Sequence, residues 1–556
     1  MEQQRPLLYL MLGFIAFMIW TTWEQRNYVP PAPIEQNTAS GLPNTANNIS
    51  DAASQTDMPT AQALSPVGQE AGATASSKSI RVKTDVLDLQ ISLTGGTIYQ
   101  ADLLTYPISL DEKDINTPVR VLDADKRYTA QSGLQATSGN KDEAPNHNAV
   151  FTTTQEEFDL GDSDSLTVPL TWVGKDGLNV VKNYIFKRGQ FLIDVEQTIS
   201  NTSGSTWAGT EYQQLTHGTP EDTGMGLTSV SYVGGAYYND KYVKVDFGDI
   251  ESENLKETIK GGWTAMLEHY FISAWIPGPE AQNKYYTIFQ KSRDNHILGV
   301  QSPVLSVPDG KAGTFKSQFY VGPKTQNKLE VMSPGLELTV DYGIFSFVSK
   351  PIFWMMNLIQ SVVSNWGWTI ILMTMLIKLI FFWPSAVSYR SMAKMKKLGP
   401  KIKEINNRHK SDPAAKQKAT MEFYRKEKIN PLGGCLPILI QMPVFMGLYW
   451  VLLESVELRQ APWILWFNDL SVMDPYYVLP LLMGASMYIQ QRLNPPQMTD
   501  PMQQKIFQFL PLVFTVMFLW FPAGLVLYWV VNNILSIAQQ YVITKKIVGD
   551  AAPILS

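Results

Sequence analysis

From Trp366 onward, apolar segments follow one another along the chain with only short polar breaks. A helix that crosses a bilayer needs about 20 mostly apolar residues, and these segments contain Pro, Gly, Trp and Met at the frequencies that lipid tolerates. We therefore predict a polytopic α-helical membrane protein, with five spans in this part of the chain: Trp366–Ala386, Leu432–Leu453, Tyr476–Gln491, Ile506–Phe521 and Leu525 to about Ile543.

An apolar segment near the N-terminus adds a sixth predicted transmembrane helix. Pro6–Trp23 is flanked by Arg5 on one side and by Glu24, Gln25 and Arg26 on the other. The flank TTWEQRNYV lacks the small-residue pattern of a cleavage site, so we favour an uncleaved anchor over a cleaved signal peptide. Residues 27–78 are rich in Pro, Ala, Ser, Thr, Asn and Gln and poor in aromatics, which predicts a disordered tether.

The region between the tether and the five spans has an acidic, soluble character. Between Glu24 and Gly343 there are 39 Asp and Glu residues against 24 Lys and Arg, a net charge of −15. Leu87, Leu89 and Ile91 alternate with polar residues before Gly95-Gly96, which predicts a strand followed by a hairpin turn. Similar patterns predict a large external all-β sandwich of about 250 residues: LTVPLTWVGKDGLNVVKNYIF, FLIDVEQTIS and KYVKVDFGDI.

After this region the hydrophobic period changes to that of a helix. Asn357, Gln360, Ser361 and Ser364 fall at i, i+3, i+4 and i+7, and apolar residues fill the remaining face, which predicts an amphipathic helix in the membrane interface. The predicted domains are a transmembrane anchor (1–26), a tether (27–78), a β-sandwich (79–343), an interfacial helix (344–365) and a five-helix core (366–556) that includes a helical hairpin (387–430).

The hairpin is strongly basic, with 13 Lys and Arg against four Asp and Glu between residues 387 and 431. The positive-inside rule places it in the cytoplasm, and alternation then places both termini in the cytoplasm and the β-sandwich outside. It is either a solvated loop that sets the topology or a docking surface for lipid headgroups, ribosomal RNA or a targeting receptor. The candidate docking residues are Lys394, Lys396, Lys397, Lys401, Lys403 and Arg408.

One charge lies inside the predicted spans. Lys378, in TMLIKLIFFWP, forms a polar stripe with Thr374 and Ser385 on an otherwise apolar helix. The five C-terminal spans contain no Asp or Glu, so we expect this charge to meet water, backbone or a visiting acidic segment, unless its stem snorkels to the cytoplasmic surface. Other polar residues in the spans either hydrogen-bond the helices together or line a shared wet interior: Gln441, Ser486, Gln490, Gln508, Thr515, Asn532, Asn533, Ser536, Gln539 and Gln540.

Catalytic chemistry has little support in the residues. The five histidines form no metal-ligand or triad spacing, and the sequence has no Gly-rich phosphate loop. The single cysteine, Cys435, excludes an intramolecular disulfide, and no paired-carboxylate motif marks the β region as a sugar enzyme. We therefore expect no enzyme activity, no cofactor and no metal.

Several long motifs resemble those of the YidC family of membrane protein insertases in its Gram-negative form: KMKKLGPKIKEI, EKINPLGGCLPILIQMPVFMGLYW, SVELRQAPWILW, LSVMDPYYVLP, TDPMQQKIFQFLP and FLWFPAGLVLYWVVNN. The resemblance implies a multi-pass protein of the bacterial inner membrane with a periplasmic β domain. It also implies an insertase and chaperone of nascent membrane proteins, working in the phospholipid bilayer alone or with the Sec translocon. A ribosome or a signal-recognition receptor is the implied partner on the cytoplasmic face.

In that family a positive residue of the second span lies in a hydrophilic groove, and Lys378 occupies this position. Family members usually have Arg there and often Tyr at the position of Trp529; Lys keeps the charge but lacks the planar fork for bidentate capture of a carboxylate. The alternative function is a solute or ion transporter with Lys378 as counter-ion, although no pair of broken spans supports it. The implied substrate groove comprises Lys378, Thr374, Gln441, Trp529, Asn532, Asn533 and Ser536.

Overall fold

The structure is a computed structural model that describes residues 78–548, except 112, 138–143, 176, 221–231, 410–411, 428–435 and 494–500. The predicted N-terminal anchor and almost all of the predicted tether lie outside the described residues. Within these ranges, strands occupy the chain from Ser79 to Pro323, and helices dominate from Gln326 to Val548.

Two β-sheets form the first part. One has 11 strands in the order β13-β16-β17-β10-β5-β3-β2-β1-β6, with β4 beside β3 and β18 beside β10, and the other has eight in the order β12-β11-β14-β15-β19-β9-β8-β7. Paired strands are antiparallel except β1 and β6, which are parallel. The described strands are β1 Ser79–Lys83, β2 Leu87–Ser92, β3 Ile98–Pro107, β4 Pro118–Asp123, β5 Thr129–Ala136, β6 Glu157–Asp159, β7 Ser165–Val173, β8 Leu178–Lys187, β9 Leu192–Asn201, β10 Trp207–Gly218, β11 Gly234–Tyr238, β12 Tyr242–Val245, β13 Lys256–Lys260, β14 Thr264–Leu267, β15 Phe271–Ile276, β16 Gln282–Gln290, β17 Asn295–Gln301, β18 Leu305–Val307 and β19 Lys311–Pro323.

The two sheets pack face to face over a common apolar core, because alternate residues of each strand point to the same face. Leu87 and Leu89 of β2 are buried there together with Ile193 of β9 in the other sheet. The predicted turn at Gly95-Gly96 joins β2 to β3, and both glycines have positive φ, +71° and +68°, which other residues rarely adopt. The prediction of a large β-sandwich is confirmed.

The prediction is wrong for the second half of KYVKVDFGDI. Strand β12 ends at Val245, and a short helix, α1 (Phe247–Ser252), follows it. The Asp249 carboxylate accepts the backbone N–H of Asp246 at 3.1 Å, which stabilises the first helical turn. The cap ends the strand although the apolar alternation continues to Phe247.

A buried lysine and a buried glutamate lie inside the sandwich, where the sequence pattern predicts only apolar residues. Lys182 Nζ donates to Gly95 O at 2.7 Å, to Ser132 O at 2.9 Å and to Ser132 Oγ at 3.1 Å. The Glu211 carboxylate accepts from Gln197 Nε2 at 2.7 Å. Burial lowers the pKa of Lys182 to about 7 and raises the pKa of Glu211 to about 7, and the attraction between the two charges offsets part of each shift.

The second part is helical. Within the described residues, no single helix is long and apolar enough to cross a membrane by itself, but the bent pair Trp366–Ile380 and Phe382–Lys397 meets that test together. The helices after α1 are α2 Gln326–Met332, α3 Ser346–Val363, α4 Trp366–Ile380, α5 Phe382–Lys397, α6 Gly399–Arg408, α7 Pro413–Lys426, α8 Leu436–Glu454, α9 Val478–Leu493, α10 Pro501–Met517 and α11 Ala523–Val548.

The predicted span Trp366–Ala386 is bent and consists of two helices, so its polar residues do not share one straight helix face. The chain leaves helical geometry at Phe381 (φ −91°, ψ 14°), and α5 continues at 68° to α4. The cause lies in Pro384, because a proline ring clashes with the carbonyl four residues earlier, here that of Ile380, and lacks an N–H to donate to it. The bend places Lys378 in the last turn of α4 and separates it from Ser385.

Helix α3 exposes apolar residues on the face opposite to the one it buries. Ile352, Phe353 and Met356 are buried against the helical core. On the other side Trp354 is 66% exposed and Val362 is 82% exposed. Such a helix can pack on the core and still present an apolar surface to lipid.

The β domain is fastened to the helical part at the C-terminal end of α8. Lys324 and Glu454 form a buried ion pair at 3.9 Å. His269 Nε2 donates to Leu453 O at 2.9 Å, and burial lowers the pKa of this histidine to about 4, so the ring is neutral near pH 7. Arg459 Nη2 donates to the carbonyl oxygen of Pro107 at 2.8 Å. These contacts place the loop after α8 directly beneath the β domain.

Candidate functional site

Three core helices bring Lys378 into a polar network. Lys378 lies in the last turn of α4, Gln441 lies in α8, and α11 contributes Tyr528, Asn532 and Ser536. These three residues of α11 are spaced i, i+4 and i+8, so they share one face of the helix. The polar pattern of each separate helix therefore converges at one place between the helices.

The hydrogen bonds of the network run from the ammonium outward. Lys378 Nζ donates to Ser536 Oγ at 2.7 Å and to Gln441 Oε1 at 3.3 Å. Gln441 Nε2 donates to Tyr528 OH at 2.8 Å and to Asn532 Oδ1 at 2.5 Å. Ser536 Oγ in turn donates to Asn532 O at 2.7 Å. Gln441 thus joins the lysine to two residues of α11.

The partners of the ammonium are neutral. Across the part of the chain that the structure describes, no Asp or Glu oxygen lies within ion-pair distance of Lys378 Nζ. Ser536 is 2% exposed and Asn532 is 8% exposed, whereas Lys378 itself is only partly buried. An ammonium has three N–H donors, and the two bonds named above occupy two of them. A positive charge with spare hydrogen-bonding capacity therefore lies between the core helices.

The other predicted groove residues lie outside this network. Asn533 Nδ2 donates to Ser486 Oγ at 2.9 Å and so ties α11 to α9. Thr374 is buried, and its hydroxyl bonds to Ile370 O of its own helix at 2.7 Å. Trp529 packs edge-on against Phe445, with ring centroids 4.6 Å apart.

Tyr528 is the network residue that the sequence reasoning missed. It is fully buried and accepts a hydrogen bond from Gln441. Its spacing of four residues before Asn532 was a usable signal, because it extends the polar face of α11 by one turn. The aromatic ring made the position look like part of the apolar face.

The basic hairpin comprises the end of α5 together with α6 and α7. Tyr389, Met392 and Met395 of α5 pack together with Tyr424 of α7 and Ile543 of α11. The base of the hairpin is therefore packed onto the core rather than solvated throughout. Among the predicted docking residues, Lys396 is partly buried, the side chain of Lys403 lies outside the described residues, and the exposed ones are Lys394, Lys397, Lys401 and Arg408.

Residues of the types that bind metals are spread over the described ranges. No group of three or more His, Cys, Asp and Glu residues there could hold a metal ion. Two of the five histidines make contacts within the β domain: His147 Nδ1 lies 2.6 Å from Tyr212 OH, and His296 Nε2 lies 3.0 Å from Glu251 Oε1. The polar network around Lys378 therefore remains the candidate site.

Family models match both parts of the chain. The model of the YidC periplasmic domain matches residues 79–355, and the model of the 60Kd inner membrane protein matches residues 358–550. The membrane protein insertase YidC of Thioalkalivibrio sulfidiphilus is 47% identical over 98% of this chain and 99% of its own length. The corresponding protein of Methylococcus capsulatus is 45% identical over 99% of this chain and 100% of its own.

A solved structure of an active YidC insertase, with its first transmembrane domain resolved, covers 84% of this chain and 93% of that chain at 17% identity and a TM-score of 0.38. The assignment rests on the sequence relatives, which are named insertases and so confirm the predicted insertase function over the transporter alternative. Members of this family are membrane protein insertases of the inner membrane, and insertases are not enzymes in the usual sense. The chain belongs to the YidC family of membrane protein insertases, with a large periplasmic β-sandwich and a helical inner-membrane part.

Proposed function

We propose that the chain inserts membrane proteins by offering a positively charged polar groove to the segment of a substrate that must cross the bilayer. The observation that carries this proposal is the ammonium of Lys378, which is held by the neutral acceptors Ser536 and Gln441. Transferring an unpaired polar group from water to hydrocarbon costs roughly 2–7 kcal/mol. A groove that supplies hydrogen-bonding partners lowers this barrier for each polar group of the translocated tail.

The charge makes the groove selective for acidic tails. A carboxylate of the substrate can accept the third N–H of the Lys378 ammonium, or it can replace one of the two neutral acceptors. Hydrogen bonds to charged groups contribute about 1.5–3 kcal/mol, more than those between neutral groups. Partition of the substrate's apolar segment into lipid, at about 25 cal/mol per Å² of apolar surface, supplies the driving force without a nucleotide.

The proposed arrangement has six transmembrane helices with both termini in the cytoplasm. In this arrangement α4 and α5 form one bent span, and α8, α9, α10 and α11 supply the rest of the core. The basic hairpin faces the cytoplasm, where its exposed lysines attract a ribosome or a signal-recognition receptor. The Sec translocon is a further proposed partner for larger substrates.

The test compares Lys378→Ala with Lys378→Arg. The substrate is a small membrane protein whose translocated tail is rich in Asp, with a matched form in which Asn replaces each Asp. We expect the Ala variant to lose insertion of the acidic tail at least about tenfold, equivalent to about 1.4 kcal/mol, and the Arg variant to retain most of it.

Lys350→Ala is the matched control, because it removes an exposed lysine of α3 outside the network. It should leave the insertion of both tails unchanged. Full insertion of the acidic tail by the Lys378→Ala variant, at an equal amount of protein in the membrane, would refute the proposed role of the charge.

A further inference from the structure

A cavity, which we call the junction cavity, lies where the β domain meets the segment after α8. Its volume is about 690 Å³, and small-molecule sites measure roughly 300–1,000 Å³. Strand β4 and the turn between β14 and β15 form much of its wall on the β-domain side, and Arg459 lines it on the helical side. Side chains of both charges line it: Asp102, Arg120, Asp123, Lys126, Glu268 and Arg459.

The guanidinium of Arg459 is fixed on one side and open on the other. Its Nη2 donates to Pro107 O at 2.8 Å and to Ile108 O at 3.0 Å. Its Cζ lies 5.6 Å from the centre of the Phe271 ring. Its Nη1 is buried and has no hydrogen-bond partner among the described residues. Because a buried N–H without a partner is costly, this nitrogen favours an acceptor that enters the cavity.

Glu268 supplies a negative charge to the same cavity. It lies in the turn from β14 to β15, where its N–H donates to Phe271 O at 2.9 Å. Its carboxylate has no hydrogen bond and no ion pair with any of the described residues. Burial raises the pKa of Glu268 to about 7; the more distant Lys126 and Lys324 oppose this shift, and Asp123 adds to it. A cation in contact with the carboxylate would therefore stabilise its ionised form.

The other charges of the cavity have different surroundings. Arg120 Nε donates to Asp102 Oδ1 at 2.8 Å, so these two side chains form an ion pair with each other. Lys126 is exposed at the surface. Arg459 and Glu268 do not pair with each other and are both partly buried. The cavity thus holds two charges of opposite sign that each keep bonding capacity for a ligand.

The position of the cavity along the molecule indicates where such a ligand comes from. Arg459 follows shortly after the end of α8 at Glu454, and the periplasmic β domain rests on this end. The loop that carries Arg459 also carries Trp466 and Tyr476, whose ring centroids lie 5.3 Å apart, and Tyr476 is 66% exposed. Trp and Tyr side chains are enriched where a membrane meets water. The cavity therefore lies at the level of the lipid headgroups of the outer leaflet.

An exposed apolar edge borders the cavity. Ile108, which lines it, is 52% exposed, and Ile115 of the same connection between β3 and β4 is 50% exposed. The two hydrogen bonds of Arg459 hold this connection beside the loop after α8. A molecule that is charged at one end and apolar at the other fits this arrangement, and a phospholipid is such a molecule.

We propose that the junction cavity binds the headgroup of an outer-leaflet phospholipid that carries both a phosphate and an ammonium. The phosphate accepts from Arg459 Nη1, because a guanidinium is well suited to phosphate oxygens. The ammonium donates to the Glu268 carboxylate, and the glycerol end lies beside Ile108. The proposal goes beyond the insertion of substrates, and it takes from the proposed arrangement only that α8 ends at the outer membrane surface.

The proposed site distinguishes three headgroups. Phosphatidylethanolamine supplies a phosphate and an ammonium with N–H donors. Phosphatidylcholine carries the same charges, but methyl groups replace the N–H donors. Phosphatidylglycerol has no cation and leaves Glu268 without a partner, which is costly for a buried charge. We therefore expect phosphatidylethanolamine to bind best and phosphatidylglycerol to bind worst.

The test identifies the lipid that lies beside the cavity in the full chain. The protein is reconstituted in vesicles that contain equal amounts of the three lipids. The photoreactive p-benzoylphenylalanine replaces Ile108 in one preparation and Leu465, which is 78% exposed, in another. Irradiation attaches the neighbouring lipid, and mass spectrometry identifies its headgroup. We expect adducts at position 108 to favour phosphatidylethanolamine over phosphatidylglycerol at least about tenfold, whereas adducts at position 465 follow the composition of the vesicle.

Glu268→Gln removes the negative charge with little change in side-chain size. It should reduce the preference at position 108 to that at position 465, because the ammonium loses its ionic partner. Glu280→Gln is the matched control, since it removes a carboxylate of the same domain that is 84% exposed and pairs with Lys260 at 2.7 Å, outside the cavity. An equal loss of preference in the control would overturn the role of Glu268.

Arg459→Lys keeps the proposal falsifiable if Glu268→Gln fails to fold. It keeps a positive charge but removes Nη1, so the total of lipid adducts at position 108 should fall about threefold or more while the total at position 465 stays unchanged. In the parent protein, adducts at position 108 in the proportions of the vesicle, a preference for phosphatidylglycerol, or adducts with protein in place of lipid would each overturn the proposal.

The measurement uses no substrate, so it is independent of the groove around Lys378. Lost insertion in Lys378→Ala together with an unchanged preference at position 108 would leave the lipid site intact. Normal insertion by the parent protein together with vesicle-like adducts at position 108 would overturn the lipid site alone.

Discussion

Placing a carboxylate beside Lys378 should cancel the preference for acidic substrates. Gln441→Glu puts a negative oxygen where Gln441 Oε1 lies, 3.3 Å from Lys378 Nζ, with little change in side-chain size. Two unit charges at that distance attract by about 5 kcal/mol at an effective dielectric constant of about 20, and desolvation offsets part of this. A substrate carboxylate must then compete with a fixed partner. We expect insertion of an acidic tail to fall at least about tenfold, a loss of about 1.4 kcal/mol.

The assay follows protease protection of the translocated tail in proteoliposomes, with the Asp-rich and Asn-rich tails inserted by the same variant. The neutral tail should insert about as well as it does in Gln441→Leu, because both variants lose the Nε2 donations to Tyr528 and Asn532 and this tail gains little from the charge. Gln441→Leu is the control. This variant removes the hydrogen bonds to Tyr528 and Asn532 but places no carboxylate beside Lys378. We therefore expect it to reduce the insertion of both tails by a similar factor.

One result would refute the electrostatic argument. If Gln441→Glu inserts the acidic tail as well as the parent does, at equal protein in the membrane, the attraction of Lys378 for the tail is not what selects it. An equal loss for both tails would instead assign Gln441 a purely structural role. Insertion of the acidic tail by Lys378→Gln combined with Gln441→Glu should be weaker still, because that pair leaves a negative charge in the groove.

Three further predictions concern other parts of the chain. Burial raises the pKa of Glu211 from 4.5 to about 7, so between these pH values the folded state binds more protons than the unfolded state. The free energy of unfolding of the β domain therefore falls as the pH rises through this range. In thermal unfolding followed by circular dichroism, Glu211→Gln should make this fall less steep. Replacing the exposed Lys394, Lys397 and Lys401 by Gln should weaken the binding of ribosomes to proteoliposomes and make this binding less dependent on salt. If ribosomes co-sediment with the proteoliposomes as before, the hairpin serves only to set the topology. Arg459→Gln should reduce the free energy of the contact with the β domain by about 1.5–3 kcal/mol, because Arg459 donates to the carbonyl oxygens of Pro107 and Ile108. Amide hydrogen exchange in the segment after β3 should then be faster, and an unchanged exchange rate would contradict this role of Arg459.

The strands and the polar faces were predictable because each depends on local pattern. The alternation of Leu87, Leu89 and Ile91 and the Gly95-Gly96 turn follow from a period of two residues and from glycine's tolerance of positive φ. The polar residues of α8 and α11 were likewise visible as breaks in apolar helices. Their grouping with Lys378 was predicted only through the family resemblance, because the rotation of each helix about its axis is set by packing against its neighbours and leaves no trace in its own sequence.

Other features escaped for identifiable physical reasons. Pro384 was present in the sequence, but hydropathy averaged over a span does not register a 68° bend. The loop between α8 and α9 is bound to the start of α11 by backbone hydrogen bonds, from Ala523 N–H to Val472 O and from Gly524 N–H to Leu470 O, and such bonds leave no side-chain pattern in the sequence. Alternation places Lys182 on the buried face of its strand with Val180 and Tyr184, but the oxygens that make its burial tolerable, Gly95 O and those of Ser132, come from the opposite sheet and leave no signal in the sequence of the strand.

Under the proposed function, the asymmetry between the two ends of the helical core sets the side from which a polar tail enters. Lys378 lies in the last turn of α4, next to the bend that leads into the basic hairpin, whereas the buried Ile370 and Met373 lie toward the other end of α4. A polar tail that enters from the hairpin side meets the hydrogen-bonding groups around Lys378 before it meets these apolar residues. Gln441 and Ser536 are neutral acceptors, so a polar group of the tail can replace either of them as a hydrogen-bond acceptor of Lys378 at a small cost in free energy. A charge paired with a carboxylate would resist that exchange, so we expect neutral liganding of Lys378 to matter as much as the charge itself.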